Sequence, residues 1–296
     1  MNETCNFVIL VNYNNYMDTL ECVESIRKQT YNICKIIIVD NFSGNDSIKI
    51  LREKCKDCII IESKANIGFA GANNLAAEVA MEYGAHYITF LNNDTILEQN
   101  FFEILLNGLK KGECVCPQML YYDCRDKINY AGGFFDYSKG SGTVPNRGEK
   151  YNPRDIERRE VTLAQGCCIA MTVDTYKFLG PWKEEYFLYR EDDEYTLRML
   201  KYGIKIYYEP KAVLYHKENA SSGDQAGSAF RNYYMLRNRL YNIKLYDLGK
   251  RVMIRTKIAA LIKYFLYLLL NKKQYKYYLK ALKDFECKRE GMAILN

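Results

Sequence analysis

The chain has 296 residues, 48% of them hydrophobic and 26% charged, which suits one large or two modest domains with a real core. Its net charge of +6 is unevenly spread: from Arg231 to Glu290, 16 Lys and Arg stand against 4 Asp and Glu, a balance of +12 that leaves −6 elsewhere. The opening MNETCNFVILVNYNN has no basic segment leading into a long apolar run, so no signal peptide is expected, and the odd count of 11 cysteines then favours reduced thiols over a disulfide framework.

An acidic body with a basic tail points to an anionic surface as partner, membrane or nucleic acid. No recognised nucleic-acid module occurs in the tail, which disfavours the second. Cys55 and Cys58 form a C-x-x-C, and Cys114 and Cys116 lie further on, but neither pair is followed by a matching zinc knuckle. The 27 tyrosines fit sugar-stacking or interfacial surfaces.

In chain order, the apolar run FVILVNY precedes a helix predicted from about Met17 to Gln29. KIIIVDN precedes a second helix, CIIIES a third starting near Asn73, and HYITFLNND a fourth from about Glu98 to Lys110. Continuous apolar strands alternating with helices predict an α/β fold whose mainly parallel sheet is covered on both faces. Ligands in such sheets bind at the carboxyl ends of the strands. These strands end on Asn12 and Asn14, on Asp40 and Asn41, on Glu62 and Ser63, and on Asn92 to Asp94, so four polar ends face one crevice.

After VCPQMLYY the pattern shortens. Residues 137–160, rich in Gly, Pro and charge, predict a mobile loop, and LAQGCCIAMTV returns as a strand. A helix opens at REDDEYTLRMLKYG, IKIYYEPKAVLYH follows as strand, and ENASSGDQAGS reads as a flexible loop. From Ala229 the chain is helical, basic and aromatic. Its most apolar piece, Ile258 to Leu270, is too short to span a bilayer; it fits either an interfacial helix or one packed on the core.

Several residue patterns suit chemistry. A strand-end carboxylate such as Asp94 can hold a divalent cation against a diphosphate, although an Asn-Asn-Asp turn explains the same residue types. Asp40 can accept from a ribose hydroxyl or a base N–H, or open an Asx turn. In NIGFAGANN, small residues before a helix start, Gly71 among them, allow phosphates close to backbone N–H groups. The acids Glu191, Asp192, Asp193 and Glu194 fill the first turn of a helix, where the macrodipole favours the ionised form and a general base would be ready. His216 ends a strand and could complete a metal site; His86 begins one and reads as structural.

In order, VILVNYNN, IIIVDNFSGNDS, NIGFAGANN, FLNNDTIL, QGCCIAM, YFLYREDDEYTLRMLKYGIKIYYEP and VLYHKENASS resemble the family-2 inverting glycosyltransferases of GT-A fold. The subgroup is the one that includes rhamnosyltransferases of bacterial cell-surface polysaccharides. The resemblance spans residues 7–222. It implies a GT-A catalytic domain over 1–228, with a nucleotide half to about 117 and an acceptor half after it, and a helical extension over 229–296.

The resemblance also implies residue roles. Asp40 would contact the nucleoside, helped by Asn12 and Lys64. Asn92, Asn93 and Asp94 stand where the family has D-x-D, with Asp94 as ligand of Mn2+ or Mg2+. Asn92 departs from the usual first aspartate, and His216 would fill the gap. Asp192 matches the catalytic base; Glu191, Asp193 and Glu194 would support it or bind acceptor. Gly166, Cys167 and Cys168 would floor the sugar, and Arg231, Arg237 and Arg239 would contact lipid-linked phosphate. The donor would be a dTDP- or UDP-sugar, and the acceptor a glycan or polyprenyl-diphosphate-linked glycan. The enzyme would be cytoplasmic, held peripherally at an anionic membrane by its extension, with a homodimer left open. The rival readings are a sugar nucleotidyltransferase, which would carry a Gly-rich basic loop after the first strand, and a non-catalytic sugar-nucleotide or glycan-binding protein.

Overall fold

The computed structural model describes residues 5–31, 34–218, 229–270, 272 and 274–295. Four strands, β1 (Asn6–Asn12), β2 (Cys34–Asp40), β3 (Ile59–Glu62) and β4 (Tyr87–Asn92), alternate with α1 (Tyr16–Arg27), α2 (Ser47–Lys54) and α3 (Gly68–Glu82). Phe7 to Leu10 of β1 and Ile37 to Val39 of β2 are wholly buried, because helices cover the sheet and leave no face for polar alternation.

The later strands are β5 (Thr95–Leu97), β6 (Glu113–Tyr121), β7 (Ile128–Tyr130), β8 (Phe134–Asp136), β9 (Ser141–Thr143), β10 (Arg159–Val161), β11 (Cys168–Thr172) and β12 (Lys205–His216). The large sheet runs β10-β12-β6-β11-β4-β1-β2-β3, with β5 on β12 and β7 on β6. Strands β3, β2, β1 and β4 are parallel, β6 and β12 share their direction, and β11 and β10 run against them. The expected mainly parallel sheet is therefore present. Its register lines up the strand ends: Asn12 opposite Asp40, Val11 opposite Asn92, Leu91 opposite Cys168, and His216 opposite both Tyr121 and Thr95.

Some elements differ from expectation. Helix α3 starts at Gly68 rather than near Asn73; Asn66 Oδ1 accepts the Gly68 N–H (3.0 Å) in an Asx turn just ahead of it. The fourth helix, α4, spans only Phe101–Leu105; Gly108 in left-handed conformation (φ 68°) stops it well short of Lys110. Residues 137–160 are mostly irregular but contain β9, which pairs with β8. Of the loop expected at 218–228, all but Glu218 lies outside the described residues.

Helix α5 (Val173–Leu179) leads through a short 3-10 turn, Glu184–Tyr186, to α6 (Glu191–Lys201). Trp182 stacks on Tyr195 of α6 with centroids 4.4 Å apart. The C-terminal helices α7 (Ala229–Leu245), α8 (Lys250–Leu269) and α9 (Tyr275–Glu286) enclose their own apolar cluster, built on Tyr234, Leu240, Ala281 and Phe285. Phe187, from the segment leading into α6, is buried in that cluster. Among the described residues, no helix is long and apolar enough to cross a membrane.

Candidate active site

Site residues gather at the carboxyl edge of the sheet. At one end Asp40 closes β2, nearly fully buried. Its Oδ2 accepts from Asn12 Nδ2 (2.7 Å) and Ser43 Oγ (2.7 Å), and its Oδ1 from the Ser43 N–H (3.0 Å). The Asn12 amide oxygen accepts from Thr19 Oγ1 (2.8 Å), which in turn accepts from Asn93 Nδ2 (2.8 Å). A buried relay thus joins the Asn-Asn-Asp turn to Asp40. Asn93 faces this relay, not the crevice. Thr19 and Ser43 were not singled out from sequence: Ser43 carries an Asx-turn signal three residues after Asp40, while Thr19 carries none.

Next along the edge, Asn93 and Asp94 form a turn between β4 and β5. Turn and candidate site are the same residues. Asp94 Oδ1 is buried without a hydrogen-bond partner, as is His216 Nδ1. Asp94 Oδ1 lies 3.2 Å from His216 Nε2, close enough for an ion pair but not angled as a hydrogen bond. Asn92 Nδ2 is 3.4 Å from the same His216 nitrogen. Burial opposes charging His216, yet neighbouring Cys167 and Asp94 outweigh it and hold its pKa well above the ordinary value. Burial pushes the Cys167 thiol up to about 11, so this thiol is neutral near pH 7 and Asp94 supplies the charge.

Adjacent ligands of an octahedral cation at ~2.1 Å lie ~3.0 Å apart. The orphaned carboxylate oxygen and the imidazole nitrogen nearly match that spacing. Among the described residues no three His, Cys, Asp or Glu side chains converge, so protein would supply two ligands and leave other positions open.

The third part of the site is the start of α6. Asp192 Oδ2 accepts from the Gly166 N–H (3.2 Å) and Oδ1 from the Asp193 N–H (2.9 Å). A Cβ on Gly166 would sit 2.9 Å from Asp192 Cβ, so only glycine admits this approach. Cys167, the next residue, accepts the Asn92 N–H on its carbonyl (2.8 Å). Two consecutive residues therefore connect the acidic helix start to the Asp94 turn.

The four acids have separate environments. Asp192 is only partly buried, and desolvation with the Asp193 charge raises its pKa to about 6 against the opposing Arg190 and two N–H donors. Glu191 is buried with Oε2 unpartnered, and desolvation with the Asp192 charge lifts it to about 8. Asp193 pairs with Arg190 Nη1 (2.5 Å) and accepts the Gly142 N–H (3.2 Å).

Two expected acceptor contacts are corrected by the structure. Glu194 is fully buried and is engaged by Arg198 and by Tyr246 Oη (2.6 Å), so it braces α6 and has no face toward a substrate. Arg237 is 1% exposed and donates to the carbonyls of Gly291 (2.8 Å) and Tyr186 (3.0 Å), so it cannot reach a lipid-linked phosphate. Arg239 donates to the Lys139 carbonyl, whereas Arg231 is exposed. Gly71 lies inside α3, where a Cβ would press on Ile67 at 3.2 Å. Lys64 is exposed beside Ser63, whose N–H donates to the Asp40 carbonyl (2.9 Å). His86 is exposed and precedes β4, at the opposite end of that strand from Asp94.

The glycosyl transferase family 2 model matches residues 7–179. The chain belongs to glycosyl transferase family 2. This family-2 glycosyltransferase is 24% identical over 286 residues to the dTDP-rhamnosyl transferase RfbF of Shigella flexneri, covering 93% of this chain and 92% of that protein. It is 21% identical over 249 residues to the low-salt glycan biosynthesis hexosyltransferase Agl10 of Haloferax volcanii, covering 79% of this chain and 76% of that one. A crystal structure of GalNAc-T7 with UDP, GalNAc and Mn2+ superimposes with a TM-score of 0.66 at 17% identity, over 97% of this chain and 58% of that one. At that identity the likeness speaks for fold alone, and the fold is GT-A.

Proposed function

We propose that this family-2 glycosyltransferase moves L-rhamnose from dTDP-rhamnose to a hydroxyl of a lipid-linked glycan, with inversion, in cell-surface polysaccharide synthesis. A UDP-hexose donor is the second reading, favoured by the hexosyltransferase relative. The observation that carries the reading is the shared sheet edge. It carries an orphaned carboxylate–imidazole pair and a partly exposed aspartate, joined through Gly166 and Cys167 to the strand end at Asn92.

Asp40, held by Asn12 and Ser43, binds the nucleoside with help from exposed Lys64. Asp94 and His216 would hold Mn2+ or Mg2+, whose chemistry there would be to neutralise charge on the departing diphosphate. Asp192 takes the proton of the acceptor hydroxyl as that oxygen attacks the anomeric carbon from the face opposite the diphosphate. A pKa raised to about 6 leaves it ionised near neutral pH and more basic than an ordinary aspartate. One base suffices, because single displacement needs no enzyme nucleophile.

The extension supports peripheral binding at the inner face of an anionic membrane. On α8, Ile254, Ile258, Leu261, Ile262, Phe265 and Leu269 form an exposed apolar stripe at helical spacing. The helix has no acidic residue, and Arg251 and Arg255 are exposed beside the stripe. Only Thr256 and Ala260 are fully buried, so this helix is not simply packed on the core.

The test is nucleotide release by the full chain from dTDP-rhamnose and UDP-hexoses, with Mn2+ or with EDTA. Release from dTDP-rhamnose that requires the metal is expected. Release unaffected by EDTA, or none from any nucleotide sugar, contradicts the reading.

A further inference from the structure

We infer that Arg237, Asn238 and Asn242 of α7 are positioning residues for the proposed base, holding the segment Glu185–Arg190 in the strained path that presents Asp192. The inference rests on Asp192 being that base.

The segment cannot fold on its own account. Phe187 (φ 62°), Tyr189 (φ 64°) and Arg190 (φ 71°) all take positive φ without being glycine. Such a run persists only where surroundings over-determine it. Backbone bonds within reach are few: Leu188 N–H donates to the Tyr186 carbonyl (2.7 Å) and Glu194 N–H of α6 to the Arg190 carbonyl (3.0 Å), so the remaining carbonyls need partners from elsewhere.

Those partners come from α7. Asn238 Nδ2 lies 2.9, 3.0 and 2.7 Å from the carbonyls of Tyr186, Leu188 and Tyr189. Arg237 Nη2 donates to Tyr186 (3.0 Å) and Glu185 (3.3 Å). Asn242 Nδ2 donates to the Arg190 carbonyl (3.3 Å), and its Oδ1 accepts from Tyr186 Oη (2.5 Å). The remaining carbonyl, of Phe187, accepts the Phe69 N–H of α3 (2.8 Å). Every carbonyl from Glu185 to Arg190 is thus held from outside the segment.

The choice of side chains points the same way. Arg237, Asn238 and Asn242 are at most 1% exposed. Burying three polar groups opposes folding unless each is fully paired, and an apolar face would stabilise the helix packing more simply. The amide nitrogens of Asn238 and Asn242 bond only this segment, and Arg237 divides its donors between it and Gly291, Tyr233 and Asn238. On the opposite side Gly68 closes the mould, since a Cβ there would stand 2.3 Å from the Phe187 carbonyl oxygen. Phe187 itself stacks on Tyr234 of α7 with centroids 5.5 Å apart. The consequence at the site is direct: Arg190 ends the segment, pairs with Asp193 at 2.5 Å, and sets the first turn of α6 where Asp192 meets Gly166.

The test compares full-length Asn238→Ala, Asn242→Ala, Phe285→Ala and Asp192→Asn by Tm and by the pH profile of nucleotide release from dTDP-rhamnose or the UDP-hexose that proves to be the donor. Phe285 is buried among the same C-terminal helices without bonding the segment, and so reports on general destabilisation. Asn238→Ala is expected to lower kcat by about 10-fold or more with donor KM nearly unchanged, because small misplacement of a base is costly. Its acidic limb should also move to higher pH as Arg190 loosens its hold near Asp192. Phe285→Ala should lower Tm but leave kcat and the limb in place. Should Asn238→Ala not fold, Asn242→Ala carries the same expectation. The inference is overturned if the asparagine variants keep kcat within about twofold, or if Phe285→Ala loses as much. Asp192→Asn separates the two claims: if it remains active, the base assignment fails, whereas an inactive Asp192→Asn beside active asparagine variants refutes the positioning role alone.

Discussion

The Gly166 N–H points at Asp192 Oδ2 from 3.2 Å, and no Cβ fits between Gly166 and the aspartate. This contact orients one oxygen of the carboxylate. Gly166→Ala should displace Asp192 and reduce kcat by about 100-fold, while dTDP or UDP binding changes little. Steady-state kinetics with nucleotide titration by calorimetry checks it.

Asp94 and His216 leave two polar atoms buried and unpaired in the protein alone. Asp94→Asn should weaken Mn2+ binding in the presence of UDP or dTDP by about 10-fold or more, since it removes the only anionic ligand of the pair. Calorimetry reads this without turnover. Equal Mn2+ affinity in both proteins would remove Asp94 from the metal site.

The pH dependence of stability has a defined sign at Glu191. Its folded pKa is raised from 4.5 to about 8, so its contribution is present at low pH and is lost as pH rises through that interval. Glu191→Gln should therefore raise Tm relative to the parent more at pH 8 than at pH 5, the underlying stability difference growing by at most roughly 1.4 kcal/mol per pH unit. Thermal melts across that range decide it; a constant difference contradicts the assignment.

The relay from Asn93 through Thr19 and Asn12 to Asp40 predicts an effect far from any substrate contact. Thr19→Val keeps the volume but removes the partner of the Asn12 amide oxygen and of the Asn93 amide nitrogen. It should cost about 1–3 kcal/mol of stability and weaken nucleotide binding by up to about 10-fold. Unchanged nucleotide affinity would show that Asp40 is set without the relay.

For α8, the double substitution Leu261→Glu with Ile262→Glu alters two exposed side chains and should leave Tm unchanged. Flotation with anionic vesicles should be lost in this variant and, in the parent, be weaker with zwitterionic vesicles. Equal flotation of both proteins would take α8 out of the membrane contact.

The sheet was legible in the sequence because buried parallel strands leave long apolar runs, and their polar endings marked the crevice. Asp94, His216 and Asp192 could be picked out because each sits at such an ending or in the acidic turn, whereas Gly166 was reached only through the family resemblance. The role of α7 was hidden. Arg237 is a basic residue in a basic tail, and only three dimensions show it facing inward to the Tyr186 and Gly291 carbonyls. Glu194 misled for a similar reason: four successive acids look equivalent, yet helix geometry turns Glu194 to Arg198 and Tyr246 and leaves Asp192 the least buried. Thr19 had no local signal, since its partners Asn12 and Asn93 lie 7 and 74 residues away.

Single-turnover nucleotide-sugar cleavage by Asp192→Asn, alongside calorimetric donor binding, tests the central claim most directly. The account predicts donor affinity close to that of the parent and a rate lower by about 100-fold or more. A rate near the parent's, with donor binding intact, would contradict it.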